Sequence, residues 1–217
     1  MSAELSATAT VEEILSKKSV IELRELARSF YVKGSSKMRK VELISEVKAA
    51  LMIPERLEEL LYVLDSAAWQ TFRKAAETSE PVQLNLTESR WYQILHGLCY
   101  LHFITGNRSL ACNVPPEIRT VYNSLVTDGL IQRKKHYDQL HLYAEAAANL
   151  YGVISQDDFV ALFNSQNEDI TSKEELFDAL IRHIVVDAGY CFWDKYIVDI
   201  GFEDNGFADV SDLLAQI

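Results

Sequence analysis

The sequence is poor in the residues that break helices or cross-link chains. Its 217 residues include only eight glycines and four prolines, which argues against an all-β fold with many tight turns. The three cysteines, Cys99, Cys112 and Cys191, stand far apart and form no CxxC pair. This spacing argues against both a disulfide framework and a zinc ribbon, and it predicts reduced thiols in a cytoplasmic protein.

Long apolar runs are also missing. No stretch approaches the roughly 18 uninterrupted apolar residues of a membrane span. The N-terminal segment MSAELSATATVEEILSKKS lacks the basic start and apolar block of a secretory signal. We therefore expect a soluble chain that does not associate with membranes.

What the sequence does contain is 48% apolar residues, with Leu, Ala, Glu and Ile recurring at helical spacing. This pattern predicts a mainly α fold. We expect an N-terminal arm over residues 1–18, a small helix–loop–helix module over 19–53 and a larger all-helical domain over 54–217. The segment YCFWDKYIVDIGF is β-prone and broken at Asp194-Lys195, so it predicts a short β-hairpin near the C-terminus.

Residues 19–53 have the pattern of two short amphipathic helices joined by a turn. Ser19 and Glu22 predict a capping box at the start of the first helix, and Gly34 is expected to end it. The apolar stripe of this helix comprises Val20, Leu23, Leu26, Ala27 and Phe30. The second helix is predicted from about residue 39 to residue 51, and its stripe comprises Val41, Ile44, Val47 and Leu51.

The charge is unevenly distributed along the chain. The net charge is −11, yet the segment from Lys17 to Leu51 has nine basic residues against four acidic ones. From Ser155 onward, 14 acidic residues face only Lys173, Arg182 and Lys195. The first segment can therefore attract phosphate, whereas the C-terminal part repels it.

The stretch LRELARSFYVKGSSKMRKVELISEVKAAL resembles the N-terminal helical module of the Rho termination factor, a SAP-like helix–loop–helix. The resemblance covers roughly 35 residues, and its most specific part is the leucine-rich helix followed by SKMRKVELI. It implies weak, salt-sensitive contact with a DNA or RNA backbone, without base reading. The residues implied in this contact are Lys33, Ser35, Ser36, Lys37, Arg39 and Lys40.

One observation and one alternative interpretation limit this implication. In Rho the main RNA-binding surface belongs to an OB-type barrel after the module, and no segment here resembles that barrel. The open alternative is that the cations of the turn only solvate a helical hairpin that packs on the rest of the chain.

Residues 54–217 are predicted to be helical almost throughout. One helix is expected from Pro54 to about residue 77, and Thr87 is expected to cap another that continues through Phe103. Asp128-Gly129 predicts a stop followed by a brief strand, which would make residues 87–132 winged-helix-like. Ser155 and Thr171 are predicted to cap two later helices.

A second resemblance covers much of this region. The segment YAEAAANLYGVISQDDFVALFNSQ is similar to helical segments of bacterial proteins that carry a C-terminal SEC-C metal motif, with weaker similarity from about Ala68 to Val210. The cysteine cluster that defines SEC-C is absent, so zinc binding is not implied. The resemblance implies a helical, interaction-forming domain.

The sequence has few groups of residues that could bind a metal ion or catalyse a reaction. His96, Cys99 and His102 have i, i+3, i+6 spacing on a predicted helix, and the first two could face one metal ion with Cys112 as a distant ligand. Their apolar neighbours favour instead a buried cysteine that acts as a small hydrophobic residue. There is no GxSxG, P-loop or GxGxxG motif. We expect no metal, no cofactor and no catalytic activity.

Two functions remain open at this stage. The first is a non-enzymatic binding or adaptor protein of bacterial or phage type, whose N-terminal module contacts nucleic acid while its acidic body contacts a protein. The second is an acidic inhibitor that occupies the basic groove of a nucleic-acid-binding protein. Its attracting residues would be Asp199, Glu203, Asp204, Asp209 and Asp212. The oligomeric state is left open by the sequence.

Overall fold

The chain divides into two compact units, which are described separately. The computed structural model describes residues 8–105, 109–186, 188–205, 210, 212 and 214. The first unit comprises Met1–Thr127 and the second Asp128–Ile217. The sequence suggested a boundary near residue 53, but the helices on either side of that residue lie in the same unit.

The first unit consists of helices around one small sheet. Its helices are α1 Val11–Lys17, α2 Val20–Ser29, α3 Lys40–Leu51, α4 Pro54–Val63, α5 Ser66–Glu77, α6 Trp91–Gly97 and α7 Pro116–Leu125. Its strands are β1 Val82–Leu84, β2 His102–Thr105 and β3 Leu110–Asn113. They form an antiparallel sheet in the order β1-β3-β2.

The second unit also consists of helices and one three-stranded sheet, but in a different order along the chain. Its elements are α8 Asp128–Tyr151, β4 Val153–Ser155, α9 Gln156–Gln166, α10 Lys173–Val186, β5 Tyr190–Trp193 and β6 Tyr196–Asp199. The strands pair antiparallel in the order β4-β6-β5. A 3₁₀ helix, Ile200–Asn205, follows β6.

The mainly α prediction is confirmed, and so is the C-terminal hairpin. In that hairpin Phe192 pairs with Ile197 and Trp193 with Tyr196, on either side of the Asp194-Lys195 turn. The capping box at α2 is present, since Ser19 N–H donates to a Glu22 carboxylate oxygen at 2.7 Å. Ser155 caps α9 as predicted, because its hydroxyl accepts the Asp158 N–H at 3.0 Å.

The core of the first unit runs continuously from α1 to α7. Leu23 of α2, Leu43 of α3, Leu57 of α4, Phe72 of α5 and Ile118 of α7 are all fully buried in one apolar cluster. Residues 19–53 therefore do not close a core of their own. Their apolar faces are covered by the helices that precede and follow them.

One residue of the predicted α3 stripe is wrong. Val41 is 79% exposed, whereas Leu43, which lies outside that stripe, is fully buried. The buried face of α3 consists of Leu43, Val47, Ala50 and Leu51. Two residues correspond to about 200° around a helix, so a face centred on Leu43 and Val47 turns Val41 toward solvent.

The single helix expected from Pro54 to residue 77 is two helices. The Asp65 side chain accepts the Ala68 N–H at 2.8 Å and so starts α5 as its N-cap. The other Asp65 oxygen accepts the Ser89 hydroxyl at 2.6 Å. This carboxylate thus ties the new helix start to the segment before α6.

The predicted helix through Phe103 is also wrong. Thr87 does not cap it, since the Thr87 N–H and hydroxyl both donate to the side chain of Asn85. Helix α6 ends at Gly97, and the following segment turns into the hairpin of β2 and β3. The chain turns at Cys99, which has a left-handed φ of 65°.

Two further expectations differ from the structure. The strand expected after Asp128-Gly129 is instead the first turn of α8, so the winged-helix-like arrangement of residues 87–132 lacks that strand. Ser172 rather than Thr171 caps α10, because its hydroxyl accepts the Glu175 N–H at 3.2 Å. No helix among the described residues combines the length and the apolar character that a membrane crossing requires.

The second unit buries a polar cluster. Lys134 is 2% exposed and its ammonium group lies 2.5 Å from an Asp138 oxygen. The rings of His141 and His183 are stacked with centroids 3.9 Å apart. His141 Nδ1 shares a 2.8 Å hydrogen bond with the buried Tyr190 hydroxyl. Burial, together with nearby His141, lowers the pKa of His183 to about 3.

Candidate nucleic-acid interface

The basic turn, defined here as residues 33–40, follows the end of α2 and leads into α3. Helix α2 stops at Ser29, earlier than the predicted stop at Gly34. The Val32 N–H donates to the Ala27 carbonyl at 2.8 Å, and the Tyr31 N–H to the Arg28 carbonyl at 2.9 Å. This pair of bonds is a Schellman motif, which satisfies the carbonyls at the helix end.

The motif requires a left-handed residue, and here that residue is Tyr31. Its φ is 54°, and Gly34 takes a second left-handed position with φ 75°. Glycine adopts this conformation freely, whereas a residue with a Cβ is strained by about 1–2 kcal/mol. The connection between α2 and α3 therefore has glycine at one left-handed position and a strained tyrosine at the other.

The backbone on either side of Tyr31 is firmly anchored. Phe30 is 6% exposed, and the Arg56 guanidinium donates to its carbonyl at 2.7 Å. The same guanidinium lies 5.5 Å above the Phe30 ring, and the Tyr100 ring meets Phe30 edge-on at 6.2 Å. Val32 is half-buried and packs against the core. The core thus holds both neighbours of Tyr31 in place.

Five of the six residues implied by the Rho resemblance are exposed. They are Lys33, Ser36, Lys37, Arg39 and Lys40. The sixth, Ser35, is 8% exposed and begins a short 3₁₀ turn, Ser35–Lys37. Ser35 therefore presents little surface to a ligand.

The cations of this region differ in what they contact. Within the described part of the chain, no carboxylate lies within ion-pair distance of Lys33, Lys37 or Arg39. Lys40, in contrast, donates to the Ser16 carbonyl at the end of α1, at 2.7 Å. Three exposed cations of the turn thus keep their charge available, while Lys40 also closes a helix end.

Lys48 lies farther along α3 and has acidic partners. Its ammonium group is 2.9 Å from Glu12 and 3.7 Å from Glu117. The hydrogen bond to Glu12 raises the pKa of Lys48. This cation belongs to the packing of α1, α3 and α7 rather than to the turn.

The helix starts near the turn already have anionic partners. The Arg39 N–H donates to a Glu42 oxygen at 2.7 Å, at the start of α3. Glu22 fills the same role at the start of α2, and hydrogen bonds from Ser19 lower the pKa of Glu22. Anion binding here consequently falls to side-chain cations more than to free backbone N–H groups.

The two units differ in charge. Residues 1–127 include 15 basic and 15 acidic residues, whereas residues 128–217 include six basic and 17 acidic ones. The second unit alone accounts for the net charge of −11. The positive charge of the turn is therefore local, within a unit that is neutral as a whole.

The acidic residues predicted for partner binding lie in or after the last strand. Asp199 ends β6 and is half-buried, and its side chain accepts the Gly201 N–H at 2.7 Å. Glu203 and Asp204 belong to the 3₁₀ helix that follows, and their side chains are outside the described part. Asp212 is exposed, and Asp209 lies outside the described residues.

The candidate metal residues are not on one helix. His96 lies in the last turn of α6, Cys99 in the turn after the helix, and His102 begins β2. The His96 ring stacks on Phe103 with centroids 4.1 Å apart. Burial raises the pKa of the Cys99 thiol to about 11, so it is a poor metal ligand at neutral pH. The described residues contain no metal-binding group of three or more such side chains.

Sequence reasoning missed one residue beside the turn. Tyr31 is 88% exposed, the largest value among the exposed large apolar side chains of the described residues. The signal was present in the spacing, since Ala27 and Phe30 belong to the buried stripe and Tyr31 does not. Exposure alone would not have indicated a role; the left-handed backbone adds that indication.

Residues 15–55 match the sequence family described as the Rho termination factor, N-terminal domain. The match runs from the last three residues of α1 to the first two residues of α4 and includes the whole basic turn, but it covers only a small part of the chain. No curated protein and no solved structure matches the chain. The resemblance of the remainder to SEC-C-motif proteins accordingly has no support.

Proposed function

We propose that this chain is a non-enzymatic binding protein that contacts a nucleic-acid backbone through Lys33, Lys37 and Arg39. The observation that carries the proposal is the set of three exposed cations, without acidic partners among the described residues, on a turn that directly follows the core-packed residues Phe30 and Val32. The turn lies inside the segment that is similar to the N-terminal domain of Rho. Phosphate oxygens are suitable partners for these groups.

The binding should be weak and sensitive to salt. Each phosphate neutralised by a cation releases condensed counterions, so that log K falls against log salt by about 0.9 per contact on duplex DNA. Three contacts predict a slope of about −3 and no discrimination between sequences. The equal number of acidic residues in the first unit limits affinity further.

The test is a titration of labelled DNA and RNA by fluorescence anisotropy at several salt concentrations. The triple variant Lys33→Ala, Lys37→Ala, Arg39→Ala should bind at least about tenfold more weakly at low salt, with a flatter salt slope. A matched control is Lys74→Ala, Arg90→Ala, Lys195→Ala, which removes the same number of exposed cations elsewhere.

Two outcomes would contradict the proposal. One is the absence of binding at every salt concentration. The other is an equal loss in both triple variants, which would mean that only the total charge matters. Lys40 is kept in both variants, because its bond to the Ser16 carbonyl makes it part of the packing of α1.

A second candidate function rests on the charge of the second unit. Because residues 128–217 account for the whole net charge, this unit could occupy the basic groove of a nucleic-acid-binding protein. In that case cross-linking in host cells would recover such a protein. Charge reversal at Asp199 and Asp212 would reduce the recovery, whereas the turn variant would not.

A further inference from the structure

We propose that Tyr31 is a stacking surface for an unpaired base, so that the basic turn prefers single-stranded nucleic acid. This inference rests on the proposed function, since it supplies the base contact beside the phosphate contacts of Lys33 and Lys37. Three observations on Tyr31 carry it: its exposure, its backbone conformation and the packing of both its neighbours on the core.

No packing among the described residues of the first unit explains why the exposed residue 31 is a tyrosine. The side chain is 88% exposed, so the ring contributes little to the core. Its flanking residues behave oppositely, because Phe30 is buried and Val32 is half-buried against the core. Tyr31 is therefore an outward-facing aromatic residue between two residues that pack on the core.

The backbone conformation makes this choice of residue unusual. Tyr31 occupies the left-handed position of a Schellman motif, where glycine would be free of strain. Among the described residues the other non-glycine residues with positive φ are Cys99, which is buried, and Asp194, which is in a hairpin turn. Aspartate tolerates this conformation well and a tyrosine does not. A strained residue that gains no packing indicates a role outside folding.

The surroundings match single-stranded nucleic acid. Two residues of chain span at most about 7 Å, so a base on Tyr31 brings its own phosphate within reach of Lys33. Every base has a π-face, which makes stacking on an aromatic ring tolerant of sequence. In a duplex the bases are already stacked inside the helix, and only the cations of the turn can then contribute. The combination predicts a preference for single strands.

The test compares an oligothymidylate with a duplex of the same length, by fluorescence anisotropy at low salt. Tyr31→Ala should weaken single-strand binding about 5- to 100-fold and leave duplex binding nearly unchanged. Tyr31→Phe keeps the ring and should bind like the wild type. Tyr151→Ala is the matched control, because it removes an exposed tyrosine from the acidic second unit.

Two further measurements separate stacking from folding and from charge. Tyr31→Gly should raise the thermal midpoint, because glycine relieves the left-handed backbone, and yet it should bind the single strand as poorly as Tyr31→Ala. The salt slope should be unchanged in all three Tyr31 variants, whereas the triple variant of the turn flattens it.

The outcomes distinguish this inference from the proposed function. If wild-type protein binds both probes equally and Tyr31→Ala changes neither affinity, the inference is overturned while the backbone contact stands; the ring would then be available to a protein partner. If neither probe binds, both proposals are overturned. Loss of single-strand binding in Tyr31→Ala with retention in Tyr31→Phe supports the inference.

Discussion

The two units handle charge in opposite ways. The first unit is neutral, surrounds an almost wholly apolar core and keeps the cations of its basic turn at the surface. The second is strongly acidic and yet buries an ammonium group, the His183 imidazole and a tyrosine hydroxyl, and the half-buried His141 ring stacks on His183. Buried polar groups are costly unless they are paired, so the second unit should depend on pH more than the first.

This difference indicates that ligand binding should depend on the first unit and pH-dependent folding on the second. Surface cations without acidic partners can exchange water for a ligand at little cost, which suits binding by the turn. A paired, buried cluster instead makes folding depend on protonation. Three predictions test this contrast, beginning with the largest expected effect.

The first prediction concerns the apolar core of the first unit. Leu43→Ala should lower the free energy of unfolding by about 2–5 kcal/mol, because Leu43 is fully buried. Val41→Ala, two positions earlier in the same helix, should change it by no more than about 0.5 kcal/mol, because Val41 is 79% exposed. Urea unfolding followed by fluorescence of Trp69 and Trp91 measures both, and similar losses would contradict the burial assigned to α3.

The second prediction concerns acid. The folded pKa of His183 is about 3, below the value of 6.5 for an exposed histidine. The stabilising effect of a neutral His183 is therefore complete above pH 6.5 and is lost as the pH falls toward 3. At pH 5 the loss should be about 2 kcal/mol. In a variant without Trp69 and Trp91, the fluorescence of Trp193 reports on the unfolding of the second unit by urea at each pH.

The matched variant is His183→Phe, which keeps a ring against His141 and removes the titration. The free energy of unfolding of this variant should depend less steeply on pH between 6.5 and 5. The difference corresponds to about one fewer proton taken up on unfolding. Burial also lowers the pKa of His96 and His102 in the first unit. The fluorescence of Trp69 and Trp91 reports on the unfolding of that unit, so its pH dependence can be compared with that of the second unit. An unchanged pH slope in His183→Phe would show that another group governs acid unfolding.

The smallest effect is expected at the surface of the first unit. Lys48 lies 2.9 Å from Glu12, but the two side chains are 33% and 67% exposed. Lys48→Ala should lower the free energy of unfolding by only about 0.5 kcal/mol, and high salt should remove most of this loss. Lys74→Ala, at an exposed position, is the control. A loss of several kcal/mol would mean that the surface charges of the first unit also stabilise its fold.

The parts of the fold that follow from local patterns were predictable. The mainly α class, the capping box of Ser19 and Glu22, and the hairpin around Asp194-Lys195 depend on neighbours in sequence. The break at Asp65 was not recognised, because the helical spacing of Leu61 and Leu64 continues past it in Ala68. The β2–β3 hairpin was missed for a similar reason: apolar spacing over residues 91–103 fits a helix as well as it fits a helix followed by a strand.

In the candidate site, too, some features follow from the local sequence and others depend on tertiary contacts. The cations of the turn were predicted from composition and from resemblance, and five of the six predicted residues are exposed. The sequence could not show that Lys40 reaches the Ser16 carbonyl, or that Lys48 lies between Glu12 and Glu117. Those partners are distant in the chain and meet only after α1, α3 and α7 have packed.

By itself, the sequence determined the helical class, the location of the charges and the starts of several helices, because these depend on residue type and on spacing within one turn. Tertiary structure decided which apolar face of α3 is buried, which cations keep their charge available, and that Tyr31 points outward from an anchored, left-handed position. The physical reason is that burial and pairing are properties of contacts between distant segments, and such contacts exist only in the folded chain.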